Sequence, residues 1–289
     1  MIINNFDTDL NTYVIAEVGG NHNGNPDTAM ELVEAAAETG ANAVKFQSYK
    51  AELLVHPKQE PLPIVRKHYK NQLERFKSLE LSDSNYQELI GRCKKLNIDF
   101  LTTPFNLQIL DKFSVNMPAI KIASGDLTYH KLIKQASLLN KPVILSTGMS
   151  NIDEIDAAVH LVPKNQLSIM HCVSLYPLPD DEVNLRAITL MKKRWPAATI
   201  GYSDHTIGLE ACLSAVALGA RIIEKHFTLD CTQKPGDHIL SLEPESMKNM
   251  VSSIRRIDKM LGTEEKKPGN NEQKMKKWMR RGVYAARNL

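Results

Sequence analysis

Eight short β-branched runs, most of them followed by a helical pattern, constrain this chain more than any other feature. They are YVIAEVG from Tyr13, NAVKFQ from Asn42, IDFLTT from Ile98, AIKIAS from Ala119, PVILSTG from Pro142, LSIMHCVS from Leu167, ATIGYS from Ala198 and RIIEKHF from Arg221. Between them lie stretches such as TAMELVEAAAETG and GLEACLSAVALGA, with small or apolar residues at i, i+3, i+4. Strands alternating with helices pair in parallel through right-handed crossovers, and eight such units are the number that closes a barrel. The predicted fold is α/β, a (β/α)8 TIM barrel over residues 1–265. An open doubly wound sheet is the alternative, but it usually has fewer strands and often a glycine-rich phosphate loop after the first.

The 289 residues, 43% of them hydrophobic, suffice to bury such a core in one domain. A net charge of +3 is too small for a dedicated nucleic-acid binder and is compatible with an anionic metabolite. Cys93, Cys172, Cys212 and Cys231 form neither a CxxC pair nor a disulfide framework, so they read as reduced thiols of a cytoplasmic protein. The opening MIINNFDTDLN lacks a basic segment followed by an apolar core, and no run reaches the roughly 18 apolar residues of a membrane span. Neither secretion nor a membrane is expected.

Two stretches stand outside the alternation. Residues 48–97 form a long connection after the second run, containing HPKQEPLPIVRKHYKNQ and then a helical SDSNYQELIGRCKKL. Long ordered loops on this face of a barrel commonly act as lids; a surface excursion without a role is the plainer account. Residues 266–289, KKPGNNEQKMKKWMRRGVYAARNL, are polar, basic and broken by Pro-Gly, and read as a linker and solvated tail. They have no aromatic interleaving to stack on bases, so nucleic acid is not an expected partner.

In a barrel of this type the reacting groups sit at the carboxyl ends of the strands. Those ends carry Glu17, Lys45 with Gln47, Lys121 with Ser124, Ser146 with Thr147, Ser174 with Tyr176, Ser203 with His205, and Glu224 with His226. Side chains repeat direction every second residue along a strand. Lys45 and Gln47 therefore point together, as do Glu224 and His226, while Lys225 points toward the helical shell. Lys45, Lys121, Ser124, Ser146 and Ser203 make a cradle of donors suited to a phosphate and a carboxylate. His205 and His226, on neighbouring strands, are suited to share one divalent ion with water and substrate in its open positions. A purely structural account is an interior salt-bridge network of Glu17, Lys45, Lys121 and Glu224. The GGNHNGN segment lacks both GxGxxG and Walker spacing, which disfavours a nucleotide. A tight turn with Pro26 near the helix start competes there with a substrate contact. Asp237 and His238 follow the last strand and stand within reach of the mouth.

Together the segments AEVGGNHNG, AVKFQ, TTPF, KIASGD, LSTGM, YP, GYSDHTIG and EKHFTLD run through almost the whole chain. In order and spacing they resemble the N-acetylneuraminate (sialic acid) synthase family, which includes legionaminate, pseudaminate and spore-coat polysaccharide synthases. The resemblance implies condensation of phosphoenolpyruvate with the open-chain aldehyde of an N-acylated hexosamine, giving a nine-carbon α-keto acid and phosphate. It implies Mn2+ or Mg2+ on His205 and His226, phosphoenolpyruvate on Lys45, Lys121, Ser124, Ser146 and Ser203, and sugar against Gln47, Ser174, Tyr176 and Asp237. Glu17, Glu224 and Lys45 would be the catalytic groups, with the base left open between the two glutamates. A homodimer is also implied.

Two departures from the family pattern bear on the acceptor. Sialic acid synthases proper tend to carry Asn two residues before Tyr-Pro, where this chain has Ser174, so a 6-deoxy diacetamido sugar fits at least as well as N-acetylmannosamine. The family continues into a small antifreeze-like domain that lends an arginine across the dimer. Here RRGVYAARNL resembles only its start, and the domain is expected to be missing. The competing readings are a related synthase acting on a phosphorylated sugar, and a barrel that binds ligand without turnover.

Overall fold

The computed structural model describes residues 1–61 and 65–282. A small hairpin of β1 (Ile2–Ile3) and β2 (Phe6–Asp7) precedes the barrel strands β3 (Tyr13–Gly19), β4 (Ala43–Ser48), β5 (Asp99–Pro104), β6 (Ile120–Ile122), β7 (Val143–Ser146), β8 (Leu167–Cys172), β9 (Thr199–Asp204) and β10 (Ile222–His226). These eight pair in parallel in the order β5-β4-β3-β10-β9-β8-β7-β6, and β5 packs against β6 to bring the sheet round into a nearly closed barrel. Each strand falls within or overlaps one of the runs read from the sequence. The hairpin was not anticipated, because strands of two residues carry no periodicity.

A helical segment follows every barrel strand. These are α1 (Pro26–Glu38), the group α2 (Ala51–Leu54), α3 (Gln72–Ser78) and α4 (Asp83–Leu96), then α5 (Leu107–Phe113), α6 (His130–Ser137), α7 (Ile152–Val159), α8 (Arg186–Arg194), α9 (Glu210–Ala217) and α10 (Pro244–Leu261). Local chemistry sets their starts. Asn25 caps α1 by accepting from the amides of Asp27 and Thr28, with Pro26 in the first turn, where its missing N–H costs nothing. Ser82 and Asn85 form a reciprocal capping box on α4, as do Asn151 and Glu154 on α7. The tail contains a further helix, α11 (Asn270–Met279), with no buried residue. Residues 283–289, which include most of the segment resembling a further domain, lie outside the described residues. Among the described residues no helix is long and apolar enough to cross a membrane.

The amino-terminal end of the barrel is closed by polar ties. Asp99 accepts from the Tyr13 hydroxyl at 2.7 Å and from Asn4 at 2.9 Å, while Phe6 packs edge-on against Tyr13. Asp258 of α10 accepts from the amide and hydroxyl of Thr12, fastening the last helix to the first barrel strand.

At the opposite end, the long connection is pinned down. Phe76 of α3 packs edge-on against Tyr49, and Glu80 accepts from Lys50 at 2.6 Å and from the Ala51 amide at 3.0 Å. Gly24, at φ +73°, lets the loop after β3 lie directly against this segment, since a Cβ there would stand 2.0 Å from the Ser78 carbonyl oxygen. Gly24→Ala should therefore cost about 2 kcal/mol or more, from a left-handed backbone and a clash with main chain. A denaturant midpoint equal to that of the wild type would refute this.

Candidate active site

Parallel register brings the sequence-selected groups together. His226 stands opposite Glu17, Glu17 opposite Lys45, and Glu224 opposite Ser203. The Lys45 ammonium lies 2.6 Å from Glu17 Oε2 and 3.7 Å from Glu224 Oε2, and Lys121 Nζ lies 3.3 Å from Glu224 Oε1. Gln47 donates to Glu17 at 3.1 Å, Lys45 to the Thr103 hydroxyl at 3.1 Å, and Ser203 to Glu224 at 3.0 Å. All four charged groups are buried, so the interior network foreseen as a purely structural account is real.

Its electrostatics are uneven. Burial raises the Glu17 carboxyl well above the usual carboxylate range, with Lys45 opposing and Glu224 adding to the rise. Burial acts in the same direction on Glu224, but Lys121 and Lys45, with the Ser203 hydrogen bond, hold that carboxyl below the ordinary range. Two nearby carboxyls pushed apart in this way can divide the roles of proton carrier and fixed charge. Lys121 is lowered by burial, while the two carboxylates raise Lys45.

The hydroxyl cradle lies on the same face. Ser146 Oγ is buried with no hydrogen-bond partner, and a buried orphan of this kind costs about 1–3 kcal/mol unless something meets it. Ser124 Oγ accepts from the Gly148 amide at 3.0 Å. A Cβ on Gly148 would stand 2.9 Å from Ser124 Oγ and 2.3 Å from Ser174 Oγ, so glycine leaves room for both hydroxyls. Ser174, assigned to the sugar by resemblance, thus stands on the Ser124 side of the site.

The imidazoles of His205 and His226 have centroids 5.4 Å apart. His205 Nδ1 is 2.6 Å from the Val173 carbonyl oxygen, which fixes the proton on Nδ1 and leaves Nε2 with a free lone pair. His226 Nδ1 is buried without a hydrogen bond, 3.9 Å from Asp237 Oδ2. Burial depresses both imidazoles and keeps them neutral, the form that binds a metal. Among the described residues no three His, Cys, Asp or Glu converge as a ligand cluster. The donor set fits a divalent ion held by two rings and otherwise open.

Above this floor, Gln47, Tyr176, His226 and Asp237 line one cavity, with the Tyr176 ring 4.0 Å from that of His205. His238 is turned away to Thr228, its Nδ1 at 2.7 Å from the hydroxyl, and serves the loop. Sequence reasoning missed Thr103, Gly148 and Arg75. Thr103 was within its reach, as a polar residue at a strand end. Arg75, in the same cavity as Asp237, was not, because nothing in the long connection's spacing marks it.

The pattern of the NeuB family matches residues 32–266. An uncharacterised protein of Methanocaldococcus jannaschii is 45% identical over 282 residues, covering 96% of this chain and 80% of that protein. An N,N'-diacetyllegionaminic acid synthase of Campylobacter jejuni is 42% identical over 287 residues, covering 96% and 86%. Among solved structures, the N-acetylneuraminic acid (sialic acid) synthetase of Leptospira borgpetersenii, in complex with citrate, superposes with a TM-score of 0.84 at 34% identity, covering 94% of this chain and 93% of that one.

Proposed function

Since this chain belongs to the NeuB family of sialic-acid-type synthases, we propose that it joins phosphoenolpyruvate to the aldehyde of an N-acylated hexosamine, forming a nine-carbon α-keto acid and releasing phosphate. The acceptor would be N-acetylmannosamine or a diacetamido-trideoxyhexose, and the working form a cytoplasmic homodimer of barrels spanning residues 1–265. The observation that carries this reading is the interleaving of Lys45 and Lys121 with Glu17 and Glu224, beside two neutral imidazoles and an orphaned serine hydroxyl.

Lys45, Lys121, Ser124, Ser146 and Ser203 would receive the phosphate and carboxylate of phosphoenolpyruvate, since ammonium and hydroxyl donors match both anions. With all four groups ionised the network is neutral, so an incoming anion acts in the same direction as burial and favours a proton on Glu17 over its carboxylate. His205 and His226 would hold Mn2+ or Mg2+, which supplies Lewis-acid polarisation of the acceptor carbonyl. Gln47, Tyr176 and Asp237 would orient the sugar so that its aldehyde carbon faces C3 of phosphoenolpyruvate. C3 attacks that carbon, water adds at C2, and the C2–O bond breaks to release phosphate. Glu17 holds the proton exchanged with the new hydroxyl or the attacking water, while Glu224, kept ionised, stabilises positive charge developing at C2.

The test is incubation with Mn2+, phosphoenolpyruvate and a panel of N-acylated hexosamines, following phosphate release and product mass. A product carrying the mass of the acceptor plus pyruvate is expected. Tight phosphoenolpyruvate binding without phosphate from any acceptor would leave a ligand-binding barrel instead.

A further inference from the structure

Arg75 stands apart from the other cations near the site. It lies in α3, a short helix held in place at both ends. Asn71 caps its start by accepting from the Glu74 amide, and past its end Glu80 is bound to Lys50 and the Ala51 amide. Its neighbour Phe76 is wedged against Tyr49, and Leu79 lies against Gly20. The backbone under Arg75 is thus fixed on the barrel face.

The side chain is half-buried and borders two adjoining cavities, both also bordered by Gln47 and Asp237. One of the two extends to Tyr176 and His226. The Arg75 guanidinium packs 5.4 Å from the Phe76 ring centroid and forms no ion pair or hydrogen bond among the described residues. Burial raises the Asp237 carboxyl, and the charge of Arg75 partly offsets that rise. A guanidinium has five donors in a rigid fork and no acceptor, so one held against apolar surface at a cavity wall is matched to oxygen acceptors on a ligand.

We propose that Arg75 is an acceptor-binding residue, donating to the acyl carbonyl and hydroxyl oxygens of the amino sugar while Asp237 accepts from sugar hydroxyls on the same cavity wall. The inference rests on the synthase reading above and adds a specificity element supplied by this chain itself. Asp237 bears on the ligand class: in the same cavity it accepts from the hydroxyls of a neutral polyol and offsets the attraction of Arg75 for a phosphate, which favours an uncharged acylamino sugar over its phosphate ester.

Steady-state kinetics of the full chain separate the possibilities. Arg75→Met keeps the apolar stem against Phe76 and removes the fork. It should raise KM for the acceptor about ten- to a hundredfold, the range for losing hydrogen bonds from a charged donor, with KM for phosphoenolpyruvate unchanged within about twofold. Arg75→Lys, which restores charge without the fork, should recover only part of that loss. A phosphorylated hexosamine should remain the poorer substrate of the wild type. Unchanged acceptor KM in Arg75→Met, or preference of the wild type for the phosphate ester, overturns this inference and leaves the synthase reading intact. A wild type that turns over no acceptor at all overturns both, and the wild-type control shows which has failed.

Discussion

His226→Ala should lose divalent-cation binding and, with it, turnover by about three orders of magnitude or more, the equivalent of the several kcal/mol a Lewis acid contributes to a developing alkoxide. The argument comes from the imidazole itself. It is buried, neutral and without a hydrogen bond at Nδ1, and its strand places it 5.4 Å, centroid to centroid, from His205. A histidine kept only for packing normally satisfies both nitrogens. Mn2+ titrations followed by electron paramagnetic resonance should show one tight site in the wild type and none in the variant. Phosphoenolpyruvate should still bind, because Lys45, Lys121 and the serines are untouched. Full activity, or Mn2+ binding unchanged in the variant, would remove the metal assignment.

The second large effect concerns stability. Lys225 and Asp204 form a fully buried ion pair at 2.7 Å, on the helix side of the sheet, where Lys225 was expected to point. Asp204 also accepts from the Tyr202 hydroxyl, the Thr206 amide and the Cys212 thiol, and Lys225 donates to the Thr206 carbonyl at 2.5 Å. Burial pushes the Asp204 carboxyl upward, yet Lys225 and these donors hold it below the usual range. Removing one partner strands a charge that nothing else neutralises. Lys225→Met should therefore destabilise the fold by about 3–5 kcal/mol, lowering the melting temperature by on the order of 10 °C. The double variant with Asp204→Asn should recover part of the loss, and simple additivity of the two losses would show that the pair is not coupled. Since Asp204 adjoins His205 and Lys225 adjoins His226, the same pair holds both imidazole-bearing strand ends in register.

Much of this architecture was legible in the chain because its signals are local. Short β-branched runs alternating with helical patterns marked the strands, and one rule about strand ends selected Glu17, Lys45, Lys121 and Glu224. What escaped depends on the third dimension. Ser174 was placed with the sugar contacts by resemblance, and only the fold brings its hydroxyl beside Gly148 and Ser124. Arg75 had no readable place, because where α3 rests is decided by Tyr49, Lys50 and Gly24, each far from it in sequence. The two-residue hairpin at the start is too short for any periodic signal.

The depth at which each group lies has a kinetic meaning. Lys45, Lys121, Ser146 and Ser203 are only 2–4% exposed, whereas Tyr176 is 42% exposed and stands over the histidines. In a barrel of this type the interior behind the lysines is filled by side chains, so both substrates would enter from the strand-end face. Under the proposed assignment, phosphoenolpyruvate must arrive first and the sugar then seals it in. The enzyme would obey a compulsory order of addition, with the acceptor acting as the stopper that keeps its co-substrate from leaving.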